Sequence, residues 1–275
     1  MGGIDLHTHT VASDGTYTPA ELVREAVRRG VRVLAVTDHD SVEAVAPAIA
    51  VARDHQPLEI VPGIEINTDG PGGEIHVLGY FLDHEAEWLR GLLREFRAER
   101  MARVHRIADR LAELGHPIDV EEVFALVQEG SAGRPHVAQI MVRRGYVGTV
   151  REAFDRFLGA GKPAHVGHRK VLPREACEII RRAGGLAVVA HPGFHDDPDR
   201  MIRELAATGL LDGVECYYAE HSAEQTTQLL GLCRELGLAA TGGSDFHGPR
   251  VRAATLGQPS VPWEAWEALR RRAGR

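Results

Sequence analysis

Short apolar segments alternate with helical patterns through the first third of the chain and again through its last third, and this alternation constrains the fold most. Parallel strands need long crossovers, usually helices, so the pattern favours a parallel sheet with right-handed connections. Ile4 to His9, Val31 to Val36, Ile60 to Ile66 and Glu74 to Phe81 read as the early strands. Between the first two, Thr18-Pro19-Ala20-Glu21 is a helix start, with Thr18 as N-cap and Pro19 at the first helical position. Leu22, Val23, Ala26 and Val27 continue it as an apolar stripe that Gly30 stops. Ser41 is expected to cap the next helix, which runs to about Arg53. Strands resume at Leu186 to Ala190, Gly213 to Tyr217 and Ala239 to Thr241, with helices at Arg174–Arg182, Asp199–Ala207 and Ala223–Leu236.

Residues from about 84 to 170 break the rhythm. Glu85 to Leu114 reads as a long amphipathic helix, followed by helical patterns at Val120–Glu129, Pro135–Arg144 and Val150–Leu158. The expected organisation is therefore an α/β domain made of residues 1–83 and 171–275, with 84–170 inserted as a helical subdomain. At 275 residues the chain is long enough for one domain of barrel size. Its net charge of −7 and the lack of a dense Lys/Arg tract give no general attraction to nucleic acid, so no DNA duplex is expected as partner. The Arg-rich stretches from Arg97 to Arg110 and Arg270 to Arg275 read as solvated helix faces. Cys177, Cys216 and Cys233 are widely spaced and form no metal or disulfide pattern; they read as small buried hydrophobes. The N-terminus has no basic segment leading into an apolar one, and no apolar run approaches the ~18 residues of a membrane span. A cytoplasmic chain with no membrane partner is the expectation, and a monomer is favoured.

The strand ends carry the chemistry. His7 and His9, one residue apart, face the same side of an extended segment. Asp14 follows in a turn, and later strand ends supply Thr37-Asp38-His39, Gly63-Ile64-Glu65, His76 with Glu74-Ile75, Ala190-His191-Pro192 and Gly243-Ser244-Asp245-Phe246-His247. One such histidine is ordinary, but six of them with three carboxylates at the C-terminal ends of barrel strands point to a metal site. Mixed imidazole and carboxylate suits Mn²⁺, Fe²⁺ or Zn²⁺. Nine ligands overfill one tetrahedral ion and leave few open positions on two, so three divalent ions are expected.

The order His-x-His, Ser-Asp-Gly, Thr-Asp-His, Gly-Ile-Glu, Glu-Ile-His, Ala-His-Pro and Gly-Ser-Asp-Phe-His resembles the PHP (polymerase and histidinol phosphatase) family. The resemblance covers nearly the whole chain and is strongest to the stand-alone bacterial branch that hydrolyses 3′,5′-nucleoside bisphosphates and trims short RNA from its 5′ end. It implies a distorted (β/α)₇ TIM-like barrel, with the helical insertion covering the active site. Carried over residue by residue, it implies one metal held by His7, His9, Glu65 and Asp245. A second would be held by Glu65, His76 and His191, and a third by Asp14, His39 and His247, with Glu65 bridging the first two.

The expected reaction is attack on phosphorus by a hydroxide bridging two metals, with a nucleotide or short RNA as substrate. Asp38 is a candidate to orient a ligand or assist the leaving group. Arg134, ahead of Pro135 at a helix start, is the leading candidate for a guanidinium–phosphate fork. His136, Lys162, His165 and His168 lie nearby in sequence, and the resemblance supports Arg134 and Lys162, the latter within Gly161-Lys162-Pro163-Ala164. His195 and His221 follow strands on the same face and are candidates for phosphate binding or leaving-group assistance. Related sequences often carry an aromatic after Lys-Pro-Ala; this chain has His165, so no base-stacking role carries over to that position. Two other readings stay open: a histidinol-phosphate phosphatase, and a non-catalytic PHP module. The Gly133-Arg134-Pro135-His136 segment weighs against the first and the full ligand set against the second.

Overall fold

Seven strands, hydrogen-bonded in chain order, curl until the first meets the last. The computed structural model describes residues 2–70, 73–126, 133–159, 161–167, 171–249 and 254–275. The chain divides into two units, Met1–Arg90 with Lys170–Arg275, and Gly91–Arg169. In the first unit, strand β1 (Gly3–Asp5) leads to helix α1 (Pro19–Arg28), β2 (Val31–Val36), α2 (Val45–Ala52), β3 (Glu59–Gly70) and β4 (Gly73–Tyr80). The second unit is built from most of α3 (Glu87–Glu113), with α4 (Val120–Phe124), α5 (Arg134–Arg143) and α6 (Val150–Ala153), the last continuing as a π-helical turn over Phe154–Leu158. The first unit then resumes with α7 (Pro173–Arg182), β5 (Leu186–Val189), a 3₁₀ turn (Pro192–Phe194), α8 (Pro198–Ala206), β6 (Gly213–Tyr218), α9 (Ala223–Leu236), β7 (Ala239–Gly243) and α10 (Trp263–Arg272).

Closure runs through backbone beyond β1 and β7. The N–H of Leu6 donates to Gly242 O at 3.2 Å, and that of His9 to Phe246 O at 2.9 Å. A parallel bridge joins Thr8 to Phe246. The approach is close enough to require glycine: a Cβ on Gly243 would lie 2.4 Å from the His7 backbone nitrogen. Inside the ring, Ile4, Leu6, Val33, Ala35, Leu78 and Val188 form the core, which α10 completes with Trp266 and Leu269. The second unit has its own core, in which Val104, Ile107 and Leu111 of α3 meet Val137 and Met141 of α5 and Phe157.

The helix-start reading at Thr18 holds in detail. Thr18 and Glu21 form a reciprocal capping box with Pro19 in the first turn, and Gly30 follows the helix at φ 73°. Two expectations are corrected. Ser41 does not cap α2: its hydroxyl accepts the Glu43 N–H within a turn, and the helix starts at Val45 with no side-chain cap. The sheet is not wholly parallel, because β4 runs antiparallel to both β3 and β5. Gly70 pairs with Gly73, and a connection that short allows only a hairpin. Among the described residues no helix is long and apolar enough to cross a membrane. Cys177, Cys216 and Cys233 are free and buried, with the Cys216 and Cys233 sulfurs 3.6 Å apart.

Candidate metal centre

Glu65 on β3 is the hub. Its side chain is buried, and its two oxygens face different histidines. Oε2 lies 3.2 Å from His7 Nε2, 3.2 Å from His9 Nε2 and 3.1 Å from His39 Nδ1. Oε1 lies 2.9 Å from His76 Nδ1 and 3.2 Å from His191 Nε2. Asp245 Oδ1 closes the first side at 3.4 Å from His7 Nε2 and 3.2 Å from His9 Nε2. On the outer side, Asp14 reaches His247 Nε2 at 3.2 Å, His9 Nδ1 at 3.6 Å and His39 Nε2 at 3.8 Å. All nine residues singled out in the sequence thus meet in one place. Among the described residues, three groups bring one ligand atom from each member within 4.8 Å of one another: His9 with Asp14, His39 and His247; His7 with His9 and Glu65; and His39 with Glu65 and His76. His9 and His39 each belong to two of these groups, so their rings stand between neighbouring positions.

The donor set fits cations. The ring nitrogens His9 Nε2 and His39 Nδ1 are buried and lie 3.1–3.2 Å from carboxylate oxygens without meeting hydrogen-bond geometry among the described residues, as ligands turned towards a common cation would. Charge tells the same story. Burial lowers the pKa of His7 and His9, but the facing carboxylates outweigh it: Glu215, Glu65 and Asp245 hold His7 well above the usual histidine range, and Asp245, Glu65 and Asp14 push His9 up to about 10. Burial raises the carboxylates, and the surrounding histidines reverse that, leaving Asp14, Glu65 and Asp245 below the carboxylate range. His39 differs, its imidazole taken down to about 4 by burial, with Glu65 and Asp14 only partly compensating. Raised imidazoles beside lowered carboxylates make a tightly charge-paired cluster, and this mixture of donors suits divalent cations.

Buried partners hold the ligand candidates in orientation, and the sequence reading missed several. Glu215 on β6 accepts from His7 Nδ1 at 3.0 Å and from the His191 N–H at 2.8 Å, fixing two histidines from below. Asp5 accepts the Ser244 N–H, the Ser244 hydroxyl and the Gly257 N–H, and burial pushes its pKa up to about 6. Tyr218 donates its hydroxyl to Asp245 Oδ2 at 2.9 Å. His247 Nδ1 lies 2.8 Å from the Asp245 carbonyl, which directs Nε2 towards Asp14. Two of the candidates have strained backbones, His191 at φ 26° and Asp245 at φ 51°, as at other functional sites. A signal for Glu215 and Asp5 was present: a carboxylate inside an otherwise apolar strand must have a buried partner.

The remaining candidates divide. Asp38 is buried and spends its oxygens on the Thr10 N–H, the Thr10 hydroxyl and the Ser13 hydroxyl, so it braces the turn that carries Asp14. His221 has both nitrogens engaged, Nε2 by the Gly193 N–H and Nδ1 by the Cys216 carbonyl, each at 3.1 Å. His195 lies close enough to His191 and His76 for their charges, after burial, to lower its pKa. In the second unit, Arg134 places its guanidinium 5.8 Å from the Phe154 ring centroid at the start of α5, and His136 Nδ1 accepts the Gly133 N–H. Lys162 is exposed. His168 lies outside the described residues.

Known proteins resemble this chain over nearly its full length. Residues 5–165 match the PHP domain family. The chain is similar to the 5′-3′ exoribonuclease Rnm of Escherichia coli (strain K12), 35% identical over 274 residues that cover 96% of this chain and 93% of that protein. It is similar also to the 3′,5′-nucleoside bisphosphate phosphatase of Chromobacterium violaceum, 30% identical, covering 99% of this chain and 98% of that one. A solved Bifidobacterium adolescentis protein assigned as a metal-dependent phosphoesterase superposes with a TM-score of 0.80 at 29% identity, covering 100% of this chain and 99% of that chain. By this match, and by relatives aligned over nearly its full length, the chain belongs to the PHP domain family.

Proposed function

We propose that this chain is a metal-dependent phosphoesterase that removes phosphate from 3′,5′-nucleoside bisphosphates and trims short RNA from the 5′ end. The observation that carries this reading is Glu65, whose two buried oxygens each face their own set of histidines at 2.9–3.2 Å. A phosphate monoester is an anion, and Glu65, Asp14 and Asp245 would repel it; cations must sit among them before such a substrate can. Three divalent ions, Mn²⁺, Fe²⁺ or Zn²⁺, would there act as Lewis acids on phosphoryl oxygens and lower the pKa of water. His7, His9, Glu65 and Asp245 would hold one, Glu65, His76 and His191 a second, and Asp14, His39 and His247 a third.

The protein's own contribution is orientation. Glu215 and the Asp245 carbonyl fix which nitrogens of His7 and His247 point inward, and Asp38 keeps the Asp14 turn in place. His221, tied at both nitrogens, serves as a positioning residue. Arg134, His136 and Lys162 are the candidate phosphate-binding groups of the second unit, and His195 that of the first. The names of the two curated relatives support nucleotides and RNA as substrates.

The test is a panel of 3′-phosphoadenosine 5′-phosphate, AMP, a 5′-phosphorylated RNA oligomer and histidinol phosphate, given to Mn²⁺-loaded protein. Phosphate release from the bisphosphate with AMP as product is expected, as is loss of most activity in Asp14→Ala and Arg134→Ala. Release from histidinol phosphate alone would overturn the reading, and two variants near wild type would overturn the site assignment.

A further inference from the structure

Phe194 is the most exposed of the large apolar side chains among the described residues, at 56%. A single exposed Phe is ordinary on a protein surface; its setting here is not. The ring sits on the 3₁₀ turn that directly follows His191. Its centroid is 5.8 Å from the His191 ring, 5.8 Å from Tyr218, which meets it edge-on at 88°, and 6.5 Å from His221. Tyr218 in turn reaches Asp245.

The turn is pinned on both sides of its peptide groups. The Gly193 N–H donates to His221 Nε2 at 3.1 Å, and the Gly193 carbonyl accepts from Gln225 Nε2 at 2.9 Å. A Cβ on Gly193 would lie 2.6 Å from the His221 ring, so the glycine permits the clasp. Pro192, the first residue of the turn, is buried. An aromatic on a turn fastened in this way, beside the candidate ligands, buries little of its own surface, so core packing does not explain it.

We propose that Phe194 is the platform on which the substrate's nucleobase stacks while its phosphate lies at the metal centre, and that His221 and Gln225 position it. Stacking uses a π-face that every base has, so the platform would favour nucleotides over base-free sugar phosphates without choosing among bases. The inference rests on the nucleotide reading above.

Two readouts separate the claims. In metal-loaded enzyme, kcat/KM for a nucleoside 3′,5′-bisphosphate is compared with that for ribose 3,5-bisphosphate. Wild type is expected to prefer the nucleotide. Phe194→Ala and Phe194→Leu are expected to lose about tenfold or more of that preference, through KM rather than kcat, and Phe194→Trp to restore it. The second readout is tryptophan fluorescence of Phe194→Trp against wild type, expected to be quenched by AMP and not by ribose 5-phosphate. An unchanged preference in Phe194→Ala, or equal losses in kcat on both substrates, overturns the platform. Quenching by AMP in a protein that turns over no bisphosphate keeps the platform and overturns the proposed activity. Turnover of bisphosphates with no quenching does the reverse.

Discussion

Replacing Glu65 by Gln tests the hub with the smallest change of shape. The amide keeps the size of the carboxylate and one good oxygen ligand but removes a buried charge faced by five imidazole nitrogens at 2.9–3.2 Å. At an effective dielectric of ~20, two unit charges 4 Å apart interact by about 4 kcal/mol, and a divalent ion doubles this. The bridging position sets two such ions against the same carboxylate. The amide oxygen keeps part of the interaction, and relief of carboxylate desolvation returns more. A net loss of at least about 4 kcal/mol remains, roughly a thousandfold in metal affinity. Wild type and Glu65→Gln would be stripped with a chelator, reloaded with Mn²⁺, passed through gel filtration and analysed for metal per chain, with near-ultraviolet circular dichroism to verify the fold. Wild type is expected to keep three ions. The variant is expected to lose the two that share Glu65, with kcat down about a thousandfold. A folded variant with the wild-type metal content and turnover would refute the bridging role.

Other consequences are equally open to measurement. Glu215→Gln removes the charge under His7 and should weaken metal binding about 10- to 100-fold by competition titration, the usual cost of losing a ligand's orienting partner; unaltered affinity would mean that Glu215 is a passive core residue. Gly243→Ala places a methyl 2.4 Å from the His7 backbone nitrogen, so loss of metal and activity in the soluble protein is expected; a fully active variant would show that the β1–β7 approach is looser than described. Near pH 7, His7 and His9 hold protons in the metal-free protein, whereas His39 does not, its pKa having fallen to about 4. Metal must displace those protons, so affinity should rise with pH, and calorimetry in buffers of different ionisation heat should report release of about two protons per chain, those of His7 and His9. The sign for stability follows from the same shift: with His9 raised from 6.5 to about 10, its ion pairs stabilise the metal-free fold fully below pH 6.5 and lose that contribution as pH rises through 10. Buffer-independent heats, or a metal-free Tm that climbs over that window, would contradict this.

Residues announced by type and spacing were readable without coordinates. His7 and His9 share a side because of the two-residue period of extended chain, and α1 was marked by its cap, its proline and its terminating glycine. The alternation of elements favours a parallel sheet but does not set the direction of β4, which follows from its short connection to β3: Gly70 and Gly73 leave no room for a crossover. Glu215, Asp5 and Tyr218 escaped because each sits within or beside an apolar strand, where one polar residue looks incidental until its partner from a distant segment is known. His7 lies 208 positions from Glu215, and no local pattern spans that. The role of Phe194 was hidden for the opposite reason: exposure is a property of the folded surface, and nothing in Pro192-Gly193-Phe194 predicts that His221 and Gln225 will fix the turn.

The most direct test is a titration of Mn²⁺ into chelator-stripped protein, with metal bound per chain and phosphate released from 3′-phosphoadenosine 5′-phosphate followed together. Phosphate release is expected to be absent in the stripped protein, to rise as the ions bind and to level off when the centre is full. Undiminished release from protein that holds no metal, or full occupancy with no release, would contradict a metal-dependent phosphoesterase centre built around Glu65.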